Sequence, residues 1–174
     1  MLKTVIIAVS GRDDENRIYY PNGRGFLTND GLSDTHHLAR QIKENGYSPS
    51  VIFTSTTPAS LGSAYMLAGA LPSVKAVAAH DMFRFGFEHH YRKRDRLKSQ
   101  FREHLSSSVR ATDFFLKLCP FADSVSEVVF ISGECWGTDF GRGAGQWPRG
   151  AGYAFSLASQ ESKMIGRANP EAHI

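Results

Sequence analysis

Three short apolar runs constrain the fold of this chain more than any other feature of its sequence. They cover Thr4–Val9, Val51–Thr54 and residues 128–132, and each is rich in Val, Ile or Phe. Runs of this length with consecutive apolar residues are typical of strands that are covered on both faces. Helical patterns separate them. The sequence therefore predicts an α/β domain with a mostly parallel central sheet and helices on both faces, in three α/β/α layers.

The predicted helices follow from apolar residues at three- and four-residue spacing. The first is expected to begin after Thr28, a plausible N-cap, and to end at Gly46. Its inner face is predicted to contain Leu32, Thr35, Leu38, Ala39 and Ile42, and that of the second helix Leu61, Ala64, Tyr65, Ala68 and Leu71. Further helical stretches are predicted at 91–105 and 109–118, and further strands at 74–79 and 153–158.

Length and composition indicate an ordinary soluble protein with one domain. The chain has 174 residues, an apolar fraction of 41% and a net charge of +3. We expect the domain to cover residues 1–160 and residues 161–174 to form a polar tail that can be partly disordered. No apolar run approaches the roughly 20 residues of a membrane span. Cys119 and Cys135 show no CxxC spacing, so we expect reduced thiols in a cytoplasmic protein, with no metal or cofactor.

Loops at the carboxyl ends of the predicted strands are the expected location of function. In open α/β sheets the ligand-binding loops converge at this edge. The four loops concerned are Ser10-Gly11-Arg12, Ser55-Thr56-Thr57, Ala79-His80-Asp81 and Gly133-Glu134-Cys135.

Several stretches of the chain resemble the histidine phosphatase superfamily, which includes the phosphoglycerate-mutase-like enzymes. Residues 24–31, Arg-Gly-Phe-Leu-Thr-Asn-Asp-Gly, resemble the family's R-x-L-T-x-x-G entry to its first helix. Residues 46–55 resemble its G-x-x-P-D-x-I-x-x-S segment, and 147–153 resemble the P-T-G lead into the last strand of the small phosphohistidine phosphatases. The likeness extends over about 150 residues in the same order.

The resemblance implies a phosphate-handling set that this chain does not carry. Family enzymes attack phosphorus with a histidine, and two arginines and a second histidine hold the oxygens. On this alignment Ser10 stands at the first arginine and Gly11 at the nucleophile. Ala59 stands at the second arginine, and Gly133 or Glu134 at the second histidine. A shifted register would bring in Arg12, but Asp13 would then follow it where histidine is needed. The resemblance thus favours a noncatalytic, pseudophosphatase-like domain that binds a ligand or protein partner.

Two other functions stay open from the sequence. A hydrolase could use substituted residues such as Asp81, Glu134 or Cys135, with His80 beside Asp81. A regulatory module could use the basic segment 92–98, from Arg92 to Lys98, to engage an acidic protein or, as the less expected partner, nucleic acid. Interleaved acidic residues favour instead a solvated helix face. Ser10 and Ser55 could donate hydrogen bonds to an anion, and Trp136 and Trp147 could offer stacking surfaces.

Overall fold

The computed structural model describes residues 2–14, 25–79, 125–133, 147–159 and 161–166. Within these ranges the chain forms six strands and two helices. In chain order they are β1 (Thr4–Val9), α1 (Asn29–Glu44), β2 (Val51–Thr54), α2 (Pro58–Ala70), β3 (Ala76–Ala79), β4 (Glu127–Ser132), β5 (Ala151–Ser156) and β6 (Ser162–Gly166). The predicted helical stretches 91–105 and 109–118 lie outside the described residues.

All six strands belong to one sheet in the order β3-β2-β4-β1-β5-β6. The pairs β1–β4, β2–β4 and β2–β3 are parallel, whereas β5 runs antiparallel to β1 and to β6. The predicted mostly parallel sheet is confirmed. Because Val9 pairs with Ser132 and Thr54 with Ile131, the chain leaves β1, β2 and β4 at one edge of the sheet.

The sheet is buried on both faces, as the consecutive apolar residues of its central strands predict. On one face Ile6 of β1 packs in a cluster with Leu38 of α1 and Leu67 of α2. On the other face Ile7 lies in a second cluster in which Phe53 and Phe130 stack with their ring centroids 4.9 Å apart. Both described helices therefore cover the same face, and no helix in the described ranges covers the other.

Helix α1 begins and ends as its sequence predicts. Thr28 is the N-cap, and its Oγ1 accepts a hydrogen bond of 3.1 Å from the Gly31 N–H. Gly46 has φ +77°, a left-handed conformation that glycine adopts without steric cost. The prediction that Leu32 faces the core is wrong, because its side chain is 38% exposed. The buried stripe instead runs through Gly31, Asp34, Thr35, Leu38, Ala39 and Ile42.

The predicted inner face of α2 is only partly correct. Ala64 and Leu71 are buried, but Tyr65 is 64% exposed. The buried positions are Ala59, Ser60, Ser63, Ala64 and Leu67. Apolar residues occur on every side of α2, so their spacing could not define its buried face. Small hydroxyl side chains occupy that face where the helix approaches the ends of the strands.

The predicted strand boundaries near the C-terminus need correction. The strand predicted at 153–158 is β5, Ala151–Ser156, and the strand predicted at 74–79 is the shorter β3. The polar tail predicted from residue 161 is wrong for Ser162–Gly166, because these residues form β6 and pair with β5. Ile165 is 1% exposed and anchors this edge strand, whereas Met164 is 47% exposed. A single buried apolar residue within a polar segment gives too weak a pattern to predict a strand.

No helix in the described part of the chain is long and apolar enough to span a membrane.

We expect Leu38→Ala to lower the free energy of unfolding by about 2–5 kcal/mol, since it would leave a cavity between α1 and the sheet. The matched control is His36→Ala, which changes an exposed position of the same helix and should shift stability by less than about 0.5 kcal/mol. Urea unfolding of the two variants measures both changes in the free energy of unfolding. Equal losses would contradict the packing described for α1.

Candidate functional site

The carboxyl ends of β1, β2 and β4 bring several of the predicted site residues to one edge of the sheet. Ser10 follows β1, Ser55 follows β2 and Gly133 follows β4. Gly150, which precedes the antiparallel β5, joins them because its N–H lies 3.2 Å from the carbonyl oxygens of Val9 and Ser10. We call this region the strand-end site, comprising residues 10–13, 55–60, 133 and 149–150 with the buried residues of α1 and α2 beside them.

Gly11 occupies a position that has no room for a side chain. A Cβ atom built on it would lie 2.1 Å from the carbonyl oxygen of Gly31, within the first turn of α1. A Cβ atom on Gly31 would likewise lie 1.9 Å from the carbonyl oxygen of Arg12. The contact is between backbones, so no change of rotamer could relieve a clash. The first turn of α1 and the loop after β1 can approach this closely only because both positions are glycine.

A chain of buried hydroxyl groups reinforces this contact. The Gly11 N–H donates to Ser63 Oγ at 3.1 Å, and Ser63 Oγ lies 3.2 Å from Thr35 Oγ1. Thr35 Oγ1 donates its own proton to the Gly31 carbonyl oxygen at 2.8 Å, so Ser63 is the donor toward Thr35. These hydroxyls join β1, α1 and α2, and they serve the backbone of the protein itself.

The predicted residues that follow β2 are buried. Ser55 Oγ lies 3.1 Å from Thr57 Oγ1, which donates to Ser60 Oγ at 2.8 Å. Ser55 and Ala59 are both fully buried. The first turn of α2 therefore presents the methyl group of Ala59 to a packed interior and not a long polar side chain.

Arg12 is held by an acidic residue of α1. Asp34, which is 3% exposed, accepts hydrogen bonds from Arg12 Nε at 2.8 Å and from Arg12 Nη2 at 3.2 Å. On the outer side Arg12 Nη1 lies 3.0 Å from Asp30, whose side chain is 71% exposed. The guanidinium of Arg12 thus faces two carboxylates of the same helix.

Arg149 is a site residue that the sequence did not reveal. Its Nη1 donates to the carbonyl oxygen of Gly133, and it also lies 3.4 Å from Ser10 Oγ. Its Nη2 lies 3.6 Å from Asp13 Oδ2. The Arg149 side chain is 16% exposed and that of Asp13 is 1% exposed. The only sequence signal was the position of Arg149 in the segment 147–153, whose resemblance to the family's lead into the last strand does not show which strands this residue will face.

The charges of the strand-end site compensate each other. Arg12 is paired with Asp34, and Arg149 lies beside Asp13. The two pairs adjoin, because a Cβ atom on Gly150 would lie 2.7 Å from Asp34 Cβ. Two arginines and two aspartates give these four groups no net charge, and Asp30 adds a negative charge at the rim.

The structure assembles only part of the predicted site. It brings together Ser10, Gly11, Arg12, Ser55, Ala59 and Gly133. His80, Asp81, Glu134, Cys135, Trp136 and the segment 92–98 lie outside the described residues. The prediction of a stacking surface at Trp147 is wrong, since this residue is 7% exposed in the core and its ring centroid lies 4.6 Å from that of Tyr153. Within the described ranges, no group of three His, Cys, Asp or Glu residues is placed to hold a metal ion.

Solved structures of phosphatases share the fold of this chain. A candidate phosphohistidine phosphatase, SixA from Agrobacterium tumefaciens, is 10% identical with a TM-score of 0.59, covering 95% of this chain and 97% of its own. Phosphoserine phosphatase from Entamoeba histolytica in complex with 3-phosphoglyceric acid is 16% identical with a TM-score of 0.53, covering 95% and 98%. A protein histidine phosphatase SixA complexed with tungstate is 11% identical with a TM-score of 0.56, covering 94% and 96%.

These likenesses show that the chain has the fold of the histidine phosphatase superfamily, as the resemblance in its sequence implies. No protein-family model matches the sequence, and no curated protein sequence matches it significantly. At such low identity the likeness establishes the fold and leaves the chemistry to the residues of the site.

Gly11→Ala should destabilise the domain by at least about 2 kcal/mol, because the added methyl group would overlap the Gly31 carbonyl. The control is Gly69→Ala in α2, where a Cβ atom would meet nothing within 4 Å and alanine is the better helix former by about 1 kcal/mol. Thermal or urea unfolding should therefore show opposite signs for the two variants. A Gly11→Ala protein as stable as the parent would contradict the contact.

Asp34→Ala should cost about 1–3 kcal/mol, because it leaves Arg12 without its buried acceptor. Asp30→Ala, at the exposed end of the same arginine, should cost less than about 1 kcal/mol. Repeating both changes in an Arg12→Met background completes two double-mutant cycles. The prediction would be contradicted if the coupling energy between Arg12 and Asp34 were no larger than that between Arg12 and Asp30.

Proposed function

We propose that this domain, which has the fold of the histidine phosphatase superfamily, is a noncatalytic member of that fold and binds a ligand or a protein partner at its strand-end site. The observation that carries the proposal is the contact between Gly11 and Gly31. A phosphatase of this fold attacks phosphorus with an imidazole after β1, and Gly11 can hold no side chain in this backbone. Ser10, the adjacent position, carries a hydroxymethyl group and not an imidazole.

The histidines of the described residues supply no substitute nucleophile. They are His36 and His37, both on α1, where His36 is exposed and His37 Nδ1 lies 2.9 Å from Arg40 Nη2. Neither belongs to the buried stripe of α1 that faces the strand ends. An imidazole at the site would have to come from elsewhere in the chain.

The electrostatics of the site also support binding without phosphoryl transfer. Stabilising a transferring phosphoryl group requires cations aimed at its oxygens. Arg12 and Arg149 instead face Asp34 and Asp13 of the same chain. A phosphate group would meet a compensated cluster and the negative charge of Asp30, so its electrostatic attraction to the site would be weak.

Among the described residues, Ser10 is the one that a hydrolase would have to use as its nucleophile. Its Oγ lies near Arg149 Nη1, which donates a proton and cannot accept one. Within the described ranges no carboxylate or imidazole forms a hydrogen bond with Ser10 Oγ. Asp81, Glu134 and Cys135 stay predictions for a hydrolase, as does the basic segment 92–98 for an interaction module. A cytoplasmic location is likewise part of the proposal.

The protein should not hydrolyse p-nitrophenyl phosphate, phosphoserine or a phosphohistidine peptide above the buffer rate. An active histidine phosphatase assayed in parallel confirms that the substrates are competent. Turnover that follows the protein through purification, and that disappears in Ser10→Ala, Glu134→Gln or Cys135→Ala, would overturn the noncatalytic proposal and identify the residue responsible.

A Gly11→His variant provides a sharper version of this test. If only the nucleophile were missing, restoring the imidazole would restore some turnover. We expect none, because the side chain would have to displace the first turn of α1. Circular dichroism identifies variants that remain folded, and phosphate release by a folded Gly11→His protein would show that the site retains the remaining machinery.

A further inference from the structure

Arg149 carries the more deeply buried of the two positive charges at the strand-end site. Its side chain is 16% exposed, compared with 42% for Arg12. It reaches from the segment before β5 to the ends of β1 and β4 through its contacts with Ser10 and Gly133. A guanidinium at this edge of an α/β sheet lies where bound ligands are expected.

Neutral acceptors and a carboxylate contact different sides of the Arg149 guanidinium. The Gly133 carbonyl and Ser10 Oγ both contact Nη1 and fix that side of the guanidinium. Asp13 approaches the other side, with Oδ2 at 3.6 Å from Nη2. The distinct contribution of Asp13 is therefore its negative charge. Its carboxylate lies beside the guanidinium, in the position that the carboxylate of a bound ligand would take.

The burial of Asp13 strengthens its effect. Its side chain is 1% exposed, so water screens its charge poorly. A free oxyanion that approached Arg149 would meet a cation that is already compensated. It would also be repelled by the Asp13 carboxylate and by the nearby carboxylate of Asp34.

We propose that Asp13 acts as an internal anionic ligand of Arg149 and thereby keeps free oxyanions out of the strand-end site. The inference concerns the regulation of the site described under the proposed function and takes its functional meaning from that proposal. The class of ligand excluded is a tetrahedral oxyanion, such as inorganic phosphate.

Titration of Asp13→Asn with inorganic phosphate tests the proposal. The change keeps the size of the side chain and removes its charge. Calorimetry should show weak or no saturable binding by the parent protein and binding at least roughly tenfold tighter by the variant, a difference of about 1.4 kcal/mol. Phosphate should also raise the melting temperature of the variant more than that of the parent.

Two controls separate this effect from a general change in charge. Asp30→Asn removes the same charge from a residue that is 71% exposed and contacts Arg12, and it should raise phosphate affinity much less than Asp13→Asn, because water screens an exposed charge. Adding Arg149→Met to Asp13→Asn should abolish the gain. An equal gain in Asp30→Asn, or a gain that survives the loss of Arg149, would overturn the proposal.

A purely structural role for Asp13 predicts a different result. Asp13→Asn would then lose stability and gain no affinity for phosphate, which would refute the inference. If Asp13→Asn is too unstable to titrate, Asp13→Ser takes its place, and failure of both to fold would also refute it. Turnover by the parent protein would refute the noncatalytic proposal but would leave this titration interpretable, so the two failures are distinguishable.

Discussion

The backbone contact between Gly11 and Gly31 determines the geometry of the strand-end site. It fixes the first turn of α1 against the loop that follows β1, with no side chain between them. The buried stripe of α1 consequently places Asp34 and Thr35 at the end of the strand, where they bind Arg12 and Ser63. The hydroxyl chain and the Arg12–Asp34 pair thus depend on a contact that any larger residue at position 11 would disrupt.

The same geometry is the basis of our proposal that a fold shared with phosphatases serves binding and not phosphoryl transfer in this chain. The backbone of Gly31 occupies the space that a side chain at Gly11 would need. Arg12 and Arg149 face aspartates of their own chain. Such internal compensation stabilises the loops while removing the field that an anionic substrate would need. In our further proposal, Asp13 extends this compensation to Arg149.

The sequence predicted what local patterns encode. The β1, β2 and β4 strands, the N-cap at Thr28 and the left-handed Gly46 each follow from a few neighbouring residues, and so they were predictable. The resemblance around Gly31 correctly implied the fold. It also pointed to Gly11, although it could not show that Gly31 fills the space beside it.

The remaining features depend on contacts between distant parts of the chain. Arg149 reaches Ser10 across 139 positions of sequence, and no local pattern encodes such a contact. The buried face of α2 was mispredicted because that helix is apolar on all sides, so tertiary packing alone determines its orientation. Strand β6 was missed because only Ile165 of its residues is buried.

A single-turnover experiment distinguishes binding from phosphoryl transfer at the strand-end site. The protein is mixed in excess with a ³²P-labelled phosphohistidine peptide, and both protein-bound label and released phosphate are followed after rapid quenching. Neither should rise above the level seen without protein, because the described residues after β1 include no histidine and no carboxylate or imidazole in the described ranges is bonded to the Ser10 hydroxyl. Label transferred to the protein, or phosphate released in proportion to it, would contradict the account.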